Sequence, residues 1–491
     1  MRLDEAWERM YDTVIPSKLA DPQSTGSDPG LKALSGTLLG ELSVAPAADA
    51  ARKTLFRAGR WNEDNGWGHV SYGHETMVRY AASDVLDTAA LALALPWPEP
   101  ALLERERLAQ RMTARVTSRG LLLDGPHIEE LLAKHTAAQR EAHTRVCAFG
   151  IENPGSAQQV GNRLRELGAA LPETATGKPS VASDVLKELR ATGDAGVLSA
   201  AVLDYRHHAK AVSAFLEPYL ELVREGDGRV RPTVYTLAAD TGRMSSVRPN
   251  LQQVPKVGGF RACIRADQGY RGVAADFSGV ELRVFAAVSG CTEMARYLAE
   301  EDAAPPGTKA GLHWAIAHEV WGPEATYADR GKAKNGVFAT FYGAAPPKIA
   351  KTLGIPEAQA AAIQEMLRAL APGAAQWAEG IKQQVRRGMK QYRSYAGRII
   401  HLDDREPHKA PNYIIQGSAR ELLVDALVAL ADTRWGTCTL LPIHDELILF
   451  VPEDEADEAS AELVRCMETE MNGIPIKVEA DPPWISWPDP D

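Results

Sequence analysis

Along the chain, apolar positions change period twice. Between about residues 101 and 223 they recur at helical spacing, predicting amphipathic helices over 102–118, 128–149, from Ser156, after Gly177-Lys-Pro-Ser, and over 198–221. Ser156 is the expected N-cap of the third. Long helices joined by Gly/Pro loops read as an arm rather than a compact core. Residues 230–237 and 260–265 then read as strands around a polar, turn-rich run at 240–255. Val273-Ala274-Ala275 predicts a short buried strand ending in Asp276, and Ser278-Gly279 turns the chain into a helix over 280–288. Helical spacing returns over 294–391, broken at 305–307 and 346–347. The remainder is mixed: an apolar hairpin over 438–451, a helix over 456–471 and a strand at 476–478. In front, residues 1–98 read as a small α/β or helical unit with a helix over 75–95 and a Pro-rich linker at 96–100.

At 491 residues the chain is long enough for several domains, and 45% apolar with 24% charged residues is the balance of a soluble globular protein. No apolar run is long enough to span a membrane, and the first residues lack the apolar core of a signal peptide. The five cysteines are widely separated without C-x-x-C spacing, which suits a reducing cytoplasm and offers neither a zinc knot nor a disulfide framework. A net charge of −11 argues against a protein coated in nucleic acid, yet permits an enzyme with a local basic cleft.

Four stretches carry candidate chemistry. Asp276 stands at a strand end beside a helix start, where it either caps the helix or helps to hold a divalent ion. His444-Asp445-Glu446 sits at the tip of an otherwise apolar hairpin, as a solvated turn or as a partner for Asp276. Two such carboxylates can hold two divalent ions roughly 3.5–4 Å apart, an arrangement suited to phosphoryl transfer. Arg330, Lys334, Phe338 and Tyr342 recur every four residues: a basic turn running into a core stripe, or a face that binds a triphosphate and then a flat base. Residues 381–400 hold six Lys and Arg without an acid, with Tyr392 and Tyr395 interleaved, as a solvated face or a local basic patch for nucleic-acid phosphates.

Together these stretches resemble motifs A, B and C of family A DNA polymerases, the group of bacterial DNA polymerase I and phage replicative enzymes. Asp276-Phe-Ser-Gly-Val-Glu-Leu-Arg283 is similar to D-Y-S-Q-I-E-L-R, Arg330-x3-Lys334-x3-Phe338-x3-Tyr342-Gly343 to R-x3-K-x3-F-G-x2-Y-G, and His444-Asp445-Glu446 to the H-D-E of motif C. Thr241-Gly-Arg-Met-Ser-Ser246 with Pro249-Asn-Leu-Gln252 resembles T-G-R-L-S-S…P-N-L-Q. The order is the family's, and the similarity runs from about residue 101 to the end.

The resemblance implies a mixed α/β (α+β) multidomain right hand: thumb at 99–230, palm at 231–289 and 396–491, fingers at 290–395. It implies a DNA-directed DNA polymerase adding dNTPs to a primer 3′-hydroxyl with release of pyrophosphate. Asp276 and Asp445, with Glu446 beside them, would ligate two Mg²⁺, for which Mn²⁺ can substitute. Arg330, Lys334 and His313 would hold the triphosphate, with Lys334 also a proton donor to pyrophosphate. Phe338 and Tyr342 would pack on the incoming nucleotide, and Glu281 would exclude ribose. Phe338, where Tyr is an alternative, is expected to discriminate against dideoxynucleotides. Arg243, Asn250, Gln252, Arg283, Asn412, Gln416 and His444 would contact primer–template.

Departures stand at Gly279 and Pro442, where Gln is common, at His408, where Arg is usual, and at Ala339 in place of Gly. Tyr11-Asp12-Thr13, Tyr80 and Asp84 resemble the later part of a 3′–5′ exonuclease whose other carboxylates would lie upstream of Tyr11, so a truncated remnant without proofreading is expected over 1–98. The chain is expected to act as a cytoplasmic monomer, replicative or repair, with a separate exonuclease, helicase or processivity factor as conceivable partners. Its Ala/Arg/Gly-rich composition points to a phage or a bacterium with a G+C-rich genome. The competing reading is a non-catalytic primer–template scaffold.

Overall fold

The computed structural model describes residues 12–20, 30–63, 65–174, 176–189, 193–305, 307–341 and 343–489. Residues 12–98 are helical throughout their described part, without a strand, so the α/β alternative for this unit is corrected to a helical one. Asp87 does structural work there: buried, it accepts bonds from Ser43 Oγ and from the amides of Val44 and Ala45, capping the helix Ala45–Ala58.

The arm is built from α1 (Pro100–Arg119), α2 (Gly125–Cys147) and α3 (Gly193–Ala211), with α2 and α3 packed side by side. Ser156 does cap its helix, accepting from the Gln159 amide at 3.3 Å. The helix expected over 198–221 is instead interrupted by a π-helical turn, Val212–Leu216, before resuming at Glu217–Glu225. Only Arg229–Val230 and Thr233–Tyr235 of the stretch 230–237 pair as strands.

One four-stranded antiparallel sheet organises the rest. Its strands are β1 (Tyr270–Phe277), β2 (Thr439–Ile443), β3 (Glu446–Pro452) and β4 (Val478–Ala480), in the order β4-β1-β3-β2. Side chains alternate between two cores. Val273, Ala275, Phe277, Leu447, Leu449 and Val451 enter one, whereas Ala274, Ile448 and Phe450 enter the other. Covered on both faces, the strands read as unbroken apolar runs rather than alternating ones. Pro442 is tolerated because β2 is the edge strand, with α1 packed beside it. Gly272 is required by Trp484, whose ring would lie 2.4 Å from an added Cβ.

From β1 the chain enters α4 (Val280–Ser289), whose Val280, Leu282, Val284 and Phe285 are buried in the larger core. Next come α5 (Leu312–Trp321) and α6 (Tyr327–Phe341), packed together. Pro346-Pro347 opens a further helix, Pro346–Leu353, rather than breaking one, because proline at the first turn sacrifices no intrahelical bond. The long helix α7 (Ala410–Ala431) then threads the core before β2. Residues expected as a helix over 456–471 divide into the helix Ala456–Met467 and the strand Thr469–Met471.

Beneath this lies a charge network. Glu106, Arg420 and Glu421 are essentially inaccessible, and Arg398 nearly so. Arg420 grips Glu106 through both terminal nitrogens, and Arg398 and Arg105 bind Glu421. The spare donors go to backbone: Arg420 to the carbonyls of Thr236 and Gly242, and Arg398 to those of Thr241 and Gly417. Every charge is thus paired and the turn-rich loop preceding Arg243 is fixed from below.

Candidate active site

Strand register assembles the carboxylates. Asp276 stands opposite Glu446 of β3 on one side and Glu479 of β4 on the other. Directly opposed residues share a face of the sheet with Cβ atoms about 5 Å apart, so three acids form a row. Asp445 joins them from the two-residue turn between β2 and β3, its carbonyl accepting from the Phe277 amide at 3.3 Å. That turn holds His444 at φ 59°, a left-handed conformation costly for a side-chain-bearing residue.

The electrostatics follow from the geometry. Asp276 reaches solvent at the end of its strand but is surrounded by protein on its other sides. Lost hydration, then Asp445 and Glu446, push its carboxyl up to about 7. Burial likewise pushes Glu446 up to about 7, with Asp481 adding repulsion and Arg261 and Lys256 opposing it. Arg261 is a distant counter-ion at 3.9 Å, stacked instead over Trp487. The helix-cap reading of Asp276 fails: Gly279, at φ 61°, occupies the N-cap of α4 and no side chain caps that end.

A second group lies on α5 and α6. His313 is buried, with its ring 6.2 Å from that of Phe338, and its Nε2 has no hydrogen-bond partner. Burial, then the nearby charges of Arg330 and Lys334, lower its pKa to about 3, so it is neutral at physiological pH. Arg330 is half-buried and bonds Glu301 at 2.9 Å, whereas Lys334 is exposed. Phe338 is half-buried against the core. Tyr342 lies outside the described residues.

The residues expected on DNA divide. Arg243 donates to Glu281, linking the loop to α4. Burial lowers the His444 pKa, and its side chain meets the Gln252 backbone. Asn412 and Gln416 lie one turn apart on α7, and Asn412 Oδ1 is buried without a partner. Asn250 instead spends its side-chain oxygen on the Gln252 amide, capping a short helical turn, and Gln252 Nε2 donates to the Met244 carbonyl.

Two expectations are corrected. Arg283 is buried, and four of its five N–H donors go to Asp302 and the carbonyls of Ser278 and Pro475, which holds its guanidinium inside the fold rather than toward DNA. The basic patch over 381–400 is smaller than its composition: Arg398 belongs to the buried network, and Lys382 and Arg386 pair with Glu379. Tyr80 and Asp84 are likewise occupied, Asp84 by Lys32, whose ammonium lies 4.6 Å from the Tyr80 ring centre. Glu479 of the acidic row, and Lys256 and Asp481 whose charges act on it, were not among the expected residues. Strand pairing reveals Glu479, whereas Lys256 and Asp481 lie in loops that no local motif marks.

A sequence profile of DNA polymerase family A matches residues 127–483, and the chain belongs to that family. It is 26% identical to a DNA polymerase of Mycobacterium phage D29 over 98% of this chain and 79% of the phage protein. DNA polymerase I of Chloroflexus aurantiacus is 31% identical over 87% of this chain but 48% of its own length. The fold is similar to the POL domain of Pol1 from M. smegmatis, solved with DNA primer-template and dNTP, at a TM-score of 0.72 and 21% identity, covering 97% of this chain and 81% of that one. The chain is a template-directed DNA polymerase, and no feature favours the non-catalytic scaffold. Among the described residues no helix is long and apolar enough to cross a membrane.

Proposed function

We propose that polymerisation is centred on Asp276 and Asp445, with the sheet and α7 as palm, residues 99–230 as thumb and residues 290–395 as fingers. The carrying observation is the row of acids. Opposed like charges destabilise a sheet, and burial together with repulsion from neighbouring carboxylates pushes the carboxyls of Asp276 and Glu446 up to about 7, so Lys256 and Arg261 do not fully compensate the row. An all-oxygen donor set of this kind suits Mg²⁺, which Asp276 and Asp445 would hold with Glu446 adjacent. Bound there, Mg²⁺ supplies electrostatic stabilisation where negative charge develops on the primer 3′-oxygen and the leaving pyrophosphate.

The chain's own groups do the rest. Lys334 presents an exposed ammonium that binds phosphate oxygens and can give a proton to pyrophosphate. Arg330 exchanges Glu301 for the triphosphate, gaining charge-assisted bonds of comparable strength. Neutral His313 donates its unpartnered Nε2 proton to a phosphate oxygen. Phe338 packs on base and sugar, Tyr342 follows it, and Glu281 closes the space beside C2′. Arg243, Asn412, Gln416 and His444 read the minor-groove acceptors present at every base pair. Primer extension tests this reading: wild type extends a primed template with dNTPs and Mg²⁺, and Asp445→Ala falls at least about 10³-fold. Equal extension by Asp445→Ala refutes it.

A further inference from the structure

The arm carries a histidine cluster that the polymerase chemistry does not use. His135 on α2 meets the adjacent His207 and His208 on α3, and one ring nitrogen from each lies within 4.8 Å of the others. The Nδ1 atoms of His135 and His208 are 3.0 Å apart. Ring centres are separated by 5.0 Å for His135–His208, 4.9 Å for His207–His208 and 5.9 Å for His135–His207. His135 is buried with Phe260 edge-on at 5.1 Å, His208 is half-buried, and His207 reaches solvent.

An ordinary explanation is a single N–H···N bond between His135 and His208, which leaves His207 unexplained. Nitrogens bound to one tetrahedral zinc, at bonds of 2.0–2.1 Å, sit about 3.4 Å from one another. The cluster is therefore within a small side-chain rotation of a three-histidine set. Its surroundings select the metal class. Lys134 and Arg145 lie near, and the nearby carboxylate of Asp204 is paired with Arg145 at 3.2 Å. A cation that needs several carboxylates, such as Mg²⁺ or Ca²⁺, finds too little negative charge here. A transition metal that takes neutral imidazole does not need it.

We propose that His135, His207 and His208 form a zinc-class transition-metal site that staples α2 to α3. Three ligands come from the chain, and the exposed side at His207 leaves the fourth position to water. With Phe260 against His135, the staple also stiffens the contact between the arm and the segment leading to β1.

The test is a cobalt titration of the untagged, metal-stripped full chain, with excess Mg²⁺ present to occupy the carboxylates. One Co²⁺ per chain is expected to give the intense visible bands of four-coordinate, nitrogen-ligated cobalt, erased by Zn²⁺. His207→Ala, at an exposed position that leaves the fold intact, is expected to weaken binding more than about tenfold, and His208→Ala similarly. His143→Ala, on α2 but outside the cluster, is expected to change nothing. Featureless weak absorption in the wild type, or bands that persist in both His207→Ala and His208→Ala, overturns the site.

Discussion

Arg243 donates its guanidinium to Glu281, so the residue expected to read the duplex is held by the residue expected to choose the sugar. For Arg243 to reach a minor groove this pair must open, and opening also changes where the Glu281 carboxylate sits. Nucleotide choice and primer grip are therefore expected to be coupled. Glu281→Gln is expected to lower discrimination against ribonucleotides by about tenfold or more. Arg243→Ala is expected to weaken primer–template binding, and the double variant to be non-additive. Single-nucleotide incorporation with dNTP and rNTP measures both. Unchanged discrimination in Glu281→Gln removes that residue from sugar selection.

The network beneath the loop makes a stability prediction. Arg420 is inaccessible to solvent and satisfied chiefly by Glu106. Glu106→Gln leaves the guanidinium short of charge in a dry site and is expected to cost about 3–5 kcal/mol. Glu106→Leu combined with Arg420→Met removes both charges and is expected to recover most of that loss. Urea unfolding of wild type and the two variants decides it: a single substitution as stable as wild type would mean that the network is hydrated.

The motifs of the candidate site are legible in the sequence because they are local. Asp276, Lys334 and Asp445 each sit in a run whose apolar period and turn residues can be read without the fold. What escaped was non-local. Arg398, Arg420 and Glu421 look like ordinary surface charges; the approach of α1 to α7 buries Arg420 and Glu421 with Glu106, and Arg398 joins them from the turn before the strand Ile399–His401. Arg283 misled for the same reason, since its partner Asp302 lies on another helix. Glu479 and Asp276 become neighbours only through the pairing of β4 with β1, separated by two hundred residues of chain. At Gly279, where Gln is common in the family, the φ of 61° shows a backbone role. Gly279→Gln is accordingly expected to cost about 1 kcal/mol, read as a lower Tm.

Asp84 and Tyr80 support a prediction about proofreading. Lys32 neutralises Asp84 and lies against the Tyr80 ring, and Arg52 stands 5.1 Å from the same ring. A carboxylate held this way serves packing. Asp84→Ala is expected to lower stability by about 0.5–1 kcal/mol and to leave the fate of a mismatched primer 3′ end unchanged. Mismatch degradation that this substitution abolishes would show the residue to be hydrolytic.

The acidic row also sets a pH dependence in the metal-free protein. Asp276 and Glu446 rise from ordinary values of 3.8 and 4.5 to about 7 on folding. Between these limits the folded chain keeps protons that the unfolded chain has released. The associated stability is therefore full below about pH 4 and lost as pH rises through 7. Metal-free wild type is expected to unfold more readily at pH 8 than at pH 5. Glu446→Gln, which cannot ionise, is expected to remove part of that loss, gaining on the order of 1 kcal/mol at pH 8 after solvent screening. Magnesium is expected to restore stability at pH 8, where the carboxylates are ionised, and to do little at pH 5, where protons compete. Unfolding midpoints at both pH values, with chelator and with Mg²⁺, provide the measurement. A magnesium effect equal at the two pH values would show that these carboxyls do not govern metal binding.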